Sequence, residues 1–277
     1  MGASGVAVVI EDDDDIREVV HAVLEASGLE VYAAGNGIDG VDAVRRHNPD
    51  VITLDLGLPD IDGIEVTRRV REFSDAYIVM LTARAREVDT LQGLAVGADD
   101  FVTKPFRPRE LLARVETLLR RPRGSKLESG TSGRSTTAEL APTAALVAPA
   151  ALPESAGENG HQAGESAGLE HNGLYLDVAT RTTRVGNAEV QLTRTEFDLL
   201  QAIMEAGRVV RSTTGLARWL HAREYETGGY VSESEERAIQ VHIANLRRKL
   251  GDSAQSPRWV ETVRGIGYRL AAKSSEN

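Results

Sequence analysis

The first 122 residues alternate short apolar runs with stretches of helical periodicity, and this alternation constrains the fold more than any other feature. The apolar runs are Val6–Ile10, Glu30–Ala34, Val51–Leu54, Tyr77–Leu81 and Phe101–Val102. Between the first two runs, apolar residues recur at the spacing that places them on one face of a helix. They are Ile16, Val19, Val20, Val23 and Leu24. Five such alternations predict an α/β domain over residues 1–122, with a doubly wound parallel (βα)5 sheet.

Residues 123–168 differ in composition. Of these 46 residues, 30 are Ala, Gly, Ser, Thr or Pro, and none is aromatic. Such a segment buries too little apolar surface to offset the entropy lost on ordering, so we predict a disordered, flexible linker. The alternative is a packed extra helix near residues 138–151, which Pro142, Pro149 and Pro153 disfavour.

The pattern of residues 169–273 predicts a second domain, of α+β type, which is followed by a tail at residues 274–277. A small antiparallel sheet is indicated by alternating segments at Leu174–Leu176, Thr182–Val185 and Glu189–Leu192. Three helices follow: one opened by a capping box of Thr193 and Glu196, a weaker one near Thr213–His221 and a strong one near Glu235–Leu250. A closing hairpin is predicted for Val260–Val263 and Tyr268–Leu270.

Charge is distributed unevenly along the chain. Residues 1–122 carry 14 basic and 23 acidic side chains, whereas residues 237–273 carry 8 basic and 2 acidic. The net charge of −10 therefore conceals a cationic segment suited to nucleic acid. The absence of cysteine excludes disulfides and thiolate metal sites. We expect a cytoplasmic protein without a membrane partner, because no apolar run reaches membrane-spanning length and no signal peptide is recognisable.

Polar side chains stand at the carboxyl ends of the predicted parallel strands, where open sheets of this kind bind ligands. Glu11 and Asp12 follow the first strand, Asp55 ends the third, Thr82 ends the fourth and Lys104 follows the fifth. Crowded carboxylates need a cation, and with no His or Cys among them a hard ion such as Mg²⁺ fits. One carboxylate could then attack a phosphoryl group whose oxygens the lysine and the threonine bind.

The alternative for residues 11–15 is a solvated acidic run before a helix. We expect this role for Asp13, Asp14 and Asp15, as a helix cap and as anions of the first turn. We expect a functional role for Glu11 and Asp12, because the polar ends of three other predicted strands lie at the same edge of the sheet.

Four blocks of sequence resemble the receiver domain of two-component response regulators. They are Val9–Asp13, Leu54–Gly63, Leu81–Ala83 and Gly97–Phe106, and the resemblance covers residues 5–121. It implies that Asp55 accepts a phosphoryl group from a sensor histidine kinase, with Thr82 and Lys104 binding that group. It also implies that Asp12 and Asp55 bind Mg²⁺ directly, Gly57 through its backbone carbonyl and Glu11 through water.

Phe101 departs from the family pattern, which usually has Tyr at this switch position. An aromatic ring can still swing inward behind Thr82, but the missing hydroxyl removes a polar anchor of the outward state. We therefore hypothesise a shifted balance between inactive and active states. The alternative is that Phe101 is an ordinary core residue of the last strand.

The resemblance further implies a homodimer on phosphorylation, formed by the fourth helix, fifth strand and fifth helix. The matching ion-pair residues are Asp99, Asp100, Glu110, Arg114 and Arg121. The basic partner expected for Glu110 falls on Thr90, so one pair is missing. The alternative is that these residues are ordinary solvated charges.

The predicted helix at residues 235–250 has a cationic face opposite its apolar stripe. The stripe consists of Ile239, Ile243, Leu246 and Leu250. The opposite face carries Arg237, Val241, Ala244 and Arg248, with Asn245 beside them and His242, Arg247 and Lys249 flanking. Asn can pair with adenine and Val can touch a thymine methyl, so this face suits the major groove of double-stranded DNA. The alternative is a basic, solvated helix.

Three further blocks resemble the winged-helix output domain of the OmpR/PhoB type over about residues 172–272. They are Leu192–Phe197, Val241–Asp252 and Val263–Tyr268. The resemblance implies a recognition helix at residues 235–250, a wing at residues 260–270 and tandem binding to direct repeats. It implies that Asn245 reads bases, that Arg264 at a glycine-flexed tip enters the minor groove, and that phosphates are bound by Arg237, His242, Arg247, Thr262 and Tyr268.

Two segments depart from that pattern. Residues 212–221 match the family's second helix poorly, and residues 222–236 form a predicted loop that is longer than usual. This loop meets RNA polymerase in the family, so the resemblance implies a polymerase contact without specifying its form.

We therefore predict a DNA-binding transcriptional regulator activated by phosphorylation of Asp55, and not an enzyme. An enzymatic alternative is an aspartate-nucleophile phosphatase of the haloacid dehalogenase type. Those enzymes need a second acid two residues after the nucleophile, where this chain has Gly57. A further alternative is a DNA-binding protein whose receiver does not sense phosphate. The long linker favours two domains that act independently.

Overall fold

In the computed structural model, which describes residues 5–83, 87–120, 168–220 and 231–274, the five apolar runs form one parallel sheet. Its strands are β1 (Val6–Ile10), β2 (Glu30–Ala34), β3 (Val51–Asp55), β4 (Tyr77–Thr82) and β5 (Asp100–Thr103). Their order is β2-β1-β3-β4-β5, so the predicted doubly wound α/β domain is confirmed. All of the predicted linker except its last residue lies outside the described residues.

Five helices follow these strands and are α1 (Asp14–Ala26), α2 (Gly37–His47), α3 (Gly63–Arg71), α4 (Glu87–Val96) and α5 (Pro108–Leu119). These helices cover both faces of the sheet. Successive side chains of a strand point to opposite faces, so each strand packs against helices on both sides. Val8 belongs to a hydrophobic cluster with residues of α2, α3 and α4, whereas Val9 belongs to a second cluster with residues of α1 and α5. Burial on both faces explains why the strands are continuously apolar.

The acidic run after β1 also starts a helix. The carboxylate of Asp13 accepts a hydrogen bond from the amide of Ile16 at 3.0 Å, and Asp14 and Asp15 occupy the first turn of α1. Both are the roles predicted for these residues, since negative groups stabilise helix N-termini.

The second domain combines a small antiparallel sheet with three helices and a hairpin. Its first sheet is formed by β6 (Gly168–His171), β7 (Leu174–Asp177), β8 (Thr182–Val185) and β9 (Ala188–Glu189). The remaining elements are α6 (Arg194–Ala206), β10 (Arg211–Ser212), α7 (Thr213–Leu220), α8 (Glu233–Leu250), β11 (Val260–Val263) and β12 (Gly267–Leu270). The predicted winged helix-turn-helix is confirmed. Among the described residues, no helix is both long and apolar enough to cross a lipid bilayer.

Some predicted boundaries were wrong. Helix α8 begins at Glu233, two residues earlier than predicted, because Ser232 and Glu235 form a capping box through their backbone amides and side chains. The end of the predicted long loop is therefore helical, and residues 222–230 lie outside the described residues. Strand β9 ends at Glu189 rather than Leu192, shortly before Thr193 caps α6. Strands β6 and β10 were not predicted.

The hairpin of β11 and β12 gains a third strand from β10, in the order β10-β12-β11. A Cβ atom on Gly267 would lie 2.0 Å from the carbonyl oxygen of Arg211, so only glycine allows this close strand approach. Glu261 of β11 accepts hydrogen bonds from Arg269 of β12 at 3.0 Å and from Arg208 at 2.8 Å. The bonds from Arg269 and then Arg208, acting against partial burial, lower the pKa of Glu261 to about 2.

We expect Glu261→Gln to destabilise the second domain at pH 7 by about 1 kcal/mol, since the ion pairs are partly exposed. The depressed pKa contributes stability above the ordinary value near 4.5, and this contribution is lost as the pH falls towards about 2. The difference from the native chain should shrink over that range. Urea unfolding followed by the fluorescence of Trp219 and Trp259, which both lie in this domain, measures it. The exposed Glu170 of β6 supplies the control variant Glu170→Gln, and a pH-independent difference for Glu261→Gln would contradict the assignment.

Candidate functional site

Three carboxylates meet at the carboxyl edge of the parallel sheet. Oxygen atoms of Glu11, Asp12 and Asp55 lie within 4.8 Å of one another. Glu11 directly follows β1 and Asp55 ends β3, and these two strands are neighbours in the sheet. Glu11 and Asp55 are buried, whereas Asp12 is exposed. The acidic pocket that the sequence predicts is therefore assembled in the structure.

The lysine after β5 reaches into this acidic pocket. The Nζ atom of Lys104 lies 2.7 Å from Oε1 of Glu11 and 3.2 Å from Oδ2 of Asp55. Its backbone amide donates to the carbonyl of Thr82 at 2.7 Å, which holds the end of β4 beside it. The peptide bond between Lys104 and Pro105 is cis. One ammonium group thus stands between two of the three carboxylates, and the buried Thr82 lies on the same rim.

Glu11 is a buried carboxylate that pairs with Lys104 through only one of its two oxygens. Burial raises the pKa of Glu11, Lys104 opposes that effect, and Asp55 adds to it. Its Oε2 atom is buried and has no hydrogen-bond partner among the described residues. Buried polar atoms are seldom left unpaired, because an unmade hydrogen bond is costly. An all-oxygen donor set with an unpaired carboxylate oxygen fits Mg²⁺, a hard cation.

The backbone approaches Asp55 at two glycines, and at Gly63 the approach leaves no room for a side chain. A Cβ atom on Gly57 would lie 3.6 Å from Oδ2 of Asp55, so the main chain of Gly57 runs beside the carboxylate. A Cβ atom on Gly63 would lie 2.5 Å from the carbonyl oxygen of Asp55. Gly63 therefore lets α3 start directly against the end of β3. The sequence interpretation assigned Gly57 to the site but gave Gly63 no role of its own.

Arg17 is a second residue that the sequence interpretation missed. Its guanidinium group donates to the carbonyl of Glu11 at 2.8 Å and to that of Asp12 at 3.3 Å, and it also pairs with Asp14. It thereby holds the loop that carries two of the three carboxylates. The available clue was a basic residue two positions after an acidic run, from which the side chain reaches back to the helix start.

Phe101 is half-buried on β5. Its ring packs against the hydrophobic cluster that lies between the sheet and α2, α3 and α4. Ala238 and Val241 of α8 pack against the same cluster. Phe101 therefore lies close to the contact between the two domains, a position compatible with both a switch residue and a core residue.

The charges predicted for a dimer face are engaged within the chain. The side chain of Asp99 is fully buried and accepts from Arg71 at 2.7 Å and from the amide of Ile78 at 2.9 Å. Arg114 pairs with Asp100 at 3.0 Å, and lies 3.9 Å from Glu110. The alternative that all these residues are ordinary solvated charges is therefore wrong for the buried Asp99 and Asp100, and for Arg114, whose side chain is 15% exposed and paired with Asp100. Arg121 lies outside the described residues.

Helix α8 buries the predicted apolar stripe, with Ile239, Ile243, Leu246 and Leu250 all at most 5% exposed. Arg248 is exposed, and Arg237 and Val241 are partly exposed. His242 and Asn245 differ from the prediction, since they are 2% and 6% exposed and reach no DNA in this arrangement. A periodic pattern identifies the exposed face of a helix packed on one side, whereas α8 is packed against both domains.

Within the wing, Thr262 and Arg264 are exposed as expected for DNA contacts. Arg247 is committed elsewhere, because its guanidinium group donates to the carbonyl of Val260 and the hydroxyl of Thr262, both at 2.7 Å. Tyr268 is 8% exposed and packs near the Arg247 guanidinium. In this structure Arg247 and Tyr268 join α8 to the wing, which corrects the expectation that both contact phosphates.

Comparison with known families divides the chain into the same two domains as the structure. The family model described as response regulator receiver domain matches residues 7–116. The model described as transcriptional regulatory protein, C terminal, matches residues 187–270.

Curated relatives match almost the whole chain. The DNA-binding response regulator MtrA of Mycolicibacterium smegmatis is 33% identical over 263 residues, which cover 95% of each chain. The transcriptional regulatory protein CseB of Streptomyces avermitilis is 34% identical over 263 residues, which cover 95% of this chain and 96% of the relative. Among solved structures, a RitR mutant has a TM-score of 0.65 at 18% identity, covering 97% of this chain and 99% of its own, which supports the fold alone.

We expect Glu11→Gln to weaken Mg²⁺ binding by about ten- to a hundredfold, the range found when a group supporting a metal site is replaced. The substitution removes a buried negative charge and keeps the shape of the side chain. Isothermal titration calorimetry of the full chain measures the dissociation constant. Asp15→Asn, an exposed carboxylate in the first turn of α1, is the control. Equal Mg²⁺ affinities for the two variants and the native chain would exclude Glu11 from the site.

Proposed function

This chain belongs to the response regulators that join a receiver domain to a DNA-binding transcriptional regulatory domain, and from that premise we propose that Asp55 is the residue phosphorylated. The observation that carries the proposal is the placement of Asp55: a nearly buried carboxylate at the end of β3, with an ammonium group 3.2 Å away and an unpaired oxygen of Glu11 in the same pocket.

The proposed reaction is attack by a carboxylate oxygen of Asp55 on phosphorus. An O–P bond forms while the bond from phosphorus to a kinase histidine nitrogen breaks, and the histidine leaves as the neutral imidazole after taking up a proton. Lys104 and Thr82 bind the transferred oxygens through the ammonium and hydroxyl groups. A bound Mg²⁺, held by Glu11, Asp12, Asp55 and the carbonyl of Gly57, would neutralise charge on the phosphoryl group.

The phosphoryl donor is a sensor histidine kinase, and the acyl phosphate forms on the chain itself. The chain is therefore a stoichiometric acceptor, not an enzyme acting on an external substrate. Gly57 supports this over a haloacid dehalogenase-type phosphatase, because the position two residues after Asp55 offers no second acid.

The second domain binds double-stranded DNA at direct repeats. We assign phosphate or minor-groove contacts to Arg237, Arg248, Thr262 and Arg264, all at least partly exposed, and base contacts to Val241 and Asn245. Phosphorylation favours a receiver homodimer through Asp99, Asp100, Glu110, Arg114 and Arg121, which raises the local concentration of the tethered DNA-binding domains. The segment between α7 and α8 contacts RNA polymerase. A regulator that binds chromosomal DNA has to share its compartment, so we place it in the bacterial cytoplasm.

Incubation with acetyl phosphate and Mg²⁺ should give a phosphorylated species with the native chain and none with Asp55→Asn. Electrophoresis on gels that retard phosphoproteins resolves the two forms. The matched control is Asp42→Asn, an exposed carboxylate of α2, which should be phosphorylated like the native chain. Equal phosphorylation of all three proteins would place the acceptor elsewhere.

Arg264→Ala should weaken binding to an A·T-rich duplex by about 1 to 3 kcal/mol and reduce the slope of log affinity against log salt by about one. The reason is the loss of one cation at the exposed tip of the wing. Fluorescence anisotropy at several salt concentrations measures both quantities. Arg184→Ala on β8, an exposed arginine outside α8 and the wing, should change neither, and the same loss from both variants would mean a nonspecific charge effect.

A further inference from the structure

The proposed Mg²⁺ ligands lie on loops that are separate in the sequence. The β1–α1 loop contains Glu11 and Asp12, and the β3–α3 loop contains Gly57. Residues 35–38, which connect β2 to the first turn of α2, are joined to both loops through two side chains outside the acidic pocket. Whatever holds the loops against this segment also holds the proposed ligands at a fixed distance from each other.

Asp60 fastens the β3–α3 loop to the start of α2. Its Oδ1 atom accepts a hydrogen bond from the amide of Gly37, and its Oδ2 atom accepts one from the amide of Ile38, both at 2.8 Å. Amides in the first turn have no acceptor within the helix, and a negative charge is stabilised there. Desolvation acts in the opposite direction, but the bonds from these amides lower the pKa of Asp60. Both carboxylate oxygens therefore serve the loop contact.

Close packing between α2 and the same loop accompanies these hydrogen bonds. A Cβ atom on Gly37 would lie 2.6 Å from Cγ1 of Ile61 and 3.1 Å from its carbonyl oxygen, so a glycine is needed for this approach. At the other end of the loop, the carboxylate of Asp62 accepts a hydrogen bond from the amide of Glu65 in α3 at 2.7 Å. The β3–α3 loop is thus attached to two helices by neighbouring carboxylates.

Arg17 fastens the β1–α1 loop beside the same segment. Its Nη1 atom donates to the carbonyl of Glu11 at 2.8 Å and to that of Asp12 at 3.3 Å. A Cβ atom on Gly35 would lie 3.4 Å from this Nη1 atom, so the guanidinium group lies between the loop and the backbone of Gly35. These bonds fix the backbone of Glu11 and Asp12 and use none of their carboxylate oxygens.

We propose that Arg17 and Asp60 are positioning residues that set the Mg²⁺ affinity of the acidic pocket, because they hold the two ligand-bearing loops against residues 35–38. The inference rests on the proposed function, since it concerns the metal site of the same pocket. Mg²⁺ requires nearly ideal octahedral geometry, so a small change in the spacing of the loops lowers its affinity. Groups that only orient metal ligands are typically worth about ten- to a hundredfold in affinity.

Two substitutions test the loop contacts, and each has a matched control. Asp60→Asn leaves only one of the two amides with an acceptor, but it also removes a negative charge. Asp39→Asn removes the same charge from an exposed position in the first turn of α2 and leaves the bonds of Asp60 intact. Arg17→Lys keeps the positive charge and loses the planar group that reaches both carbonyls. Its control is Arg46→Lys, at an exposed arginine of α2 that also donates to a backbone carbonyl.

Mg²⁺ binding is measured by isothermal titration calorimetry of the unphosphorylated full-length chain with Mg²⁺ alone. Asp60→Asn and Arg17→Lys should each weaken binding by at least about tenfold, and both controls should stay within about twofold of the native chain. Thermal unfolding followed by circular dichroism checks that every variant is folded at the temperature of the titration. A purely structural role would lower the unfolding temperature and leave the Mg²⁺ affinity unchanged, which would overturn the proposal. An equal loss in Asp60→Asn and Asp39→Asn would also overturn it, because charge alone would then explain the effect.

The rate of phosphorylation by acetyl phosphate, measured against Mg²⁺ concentration, gives a second readout. The half-saturating Mg²⁺ concentration should rise by the same factor as the dissociation constant in Asp60→Asn and Arg17→Lys. The maximal rate should stay near that of the native chain, because Asp55, Thr82 and Lys104 are unaltered. A lower maximal rate at an unchanged half-saturating concentration would overturn the proposal. If the native chain binds Mg²⁺ and Asp55→Asn is phosphorylated equally well, the proposed function fails, while the Mg²⁺ affinities still decide whether the two side chains position the loops.

Discussion

Electrostatic repulsion among the carboxylates of the acidic pocket is the constraint on which the rest of the receiver depends. Three acids converge within 4.8 Å, two of them buried, and Lys104 supplies an ammonium group between them. Such a cluster is stable only if cations and well-placed hydrogen bonds offset its charge. The strand ends that carry Glu11 and Asp55, the clamp of Arg17 on the loop carbonyls, and the glycine that lets α3 approach Asp55 all fix this arrangement. A phosphoryl group at Asp55 would add a further anion and would give the ammonium a new partner.

Strand β5 connects this pocket to the domain contact over only a few residues. Lys104 follows its last residue, whereas Asp99 and Asp100 stand at its start and bind Arg71, Thr195 and Arg114. Phe101 lies between them and packs on the cluster that receives α8. Because packed elements shift between discrete arrangements, a displacement of Lys104 would act through this short strand on the contact between the domains. The missing hydroxyl at Phe101 then means that apolar packing, and not a polar anchor, holds the ring on the α8 side.

Sequence patterns predicted the local chemistry better than the contacts between distant segments. Strand ends, the capping box of Thr193 and the apolar stripe of α8 follow from periodicity and short-range hydrogen bonding, and the structure contains all of them. The burial of Asn245 did not follow, because its partner Leu94 lies 151 residues away and no periodic pattern encodes it. Arg247 was assigned to DNA for a similar reason, since a basic residue on a helix flank serves equally to anchor a wing. The prediction that the domains act independently considered only linker length and omitted the affinity of the two surfaces.

Asn245 and Arg114 each have one partner within the chain and a second, proposed partner outside it, and this changes how substitutions at them should be interpreted. Replacing Asn245 removes a proposed base contact and also the hydrogen bond that holds α8 against Leu94, so the two effects on DNA affinity have opposite signs. Replacing Arg114 removes a charge proposed for receiver pairing and also the neighbour of Glu235. The measured change in either case is the difference between two contributions.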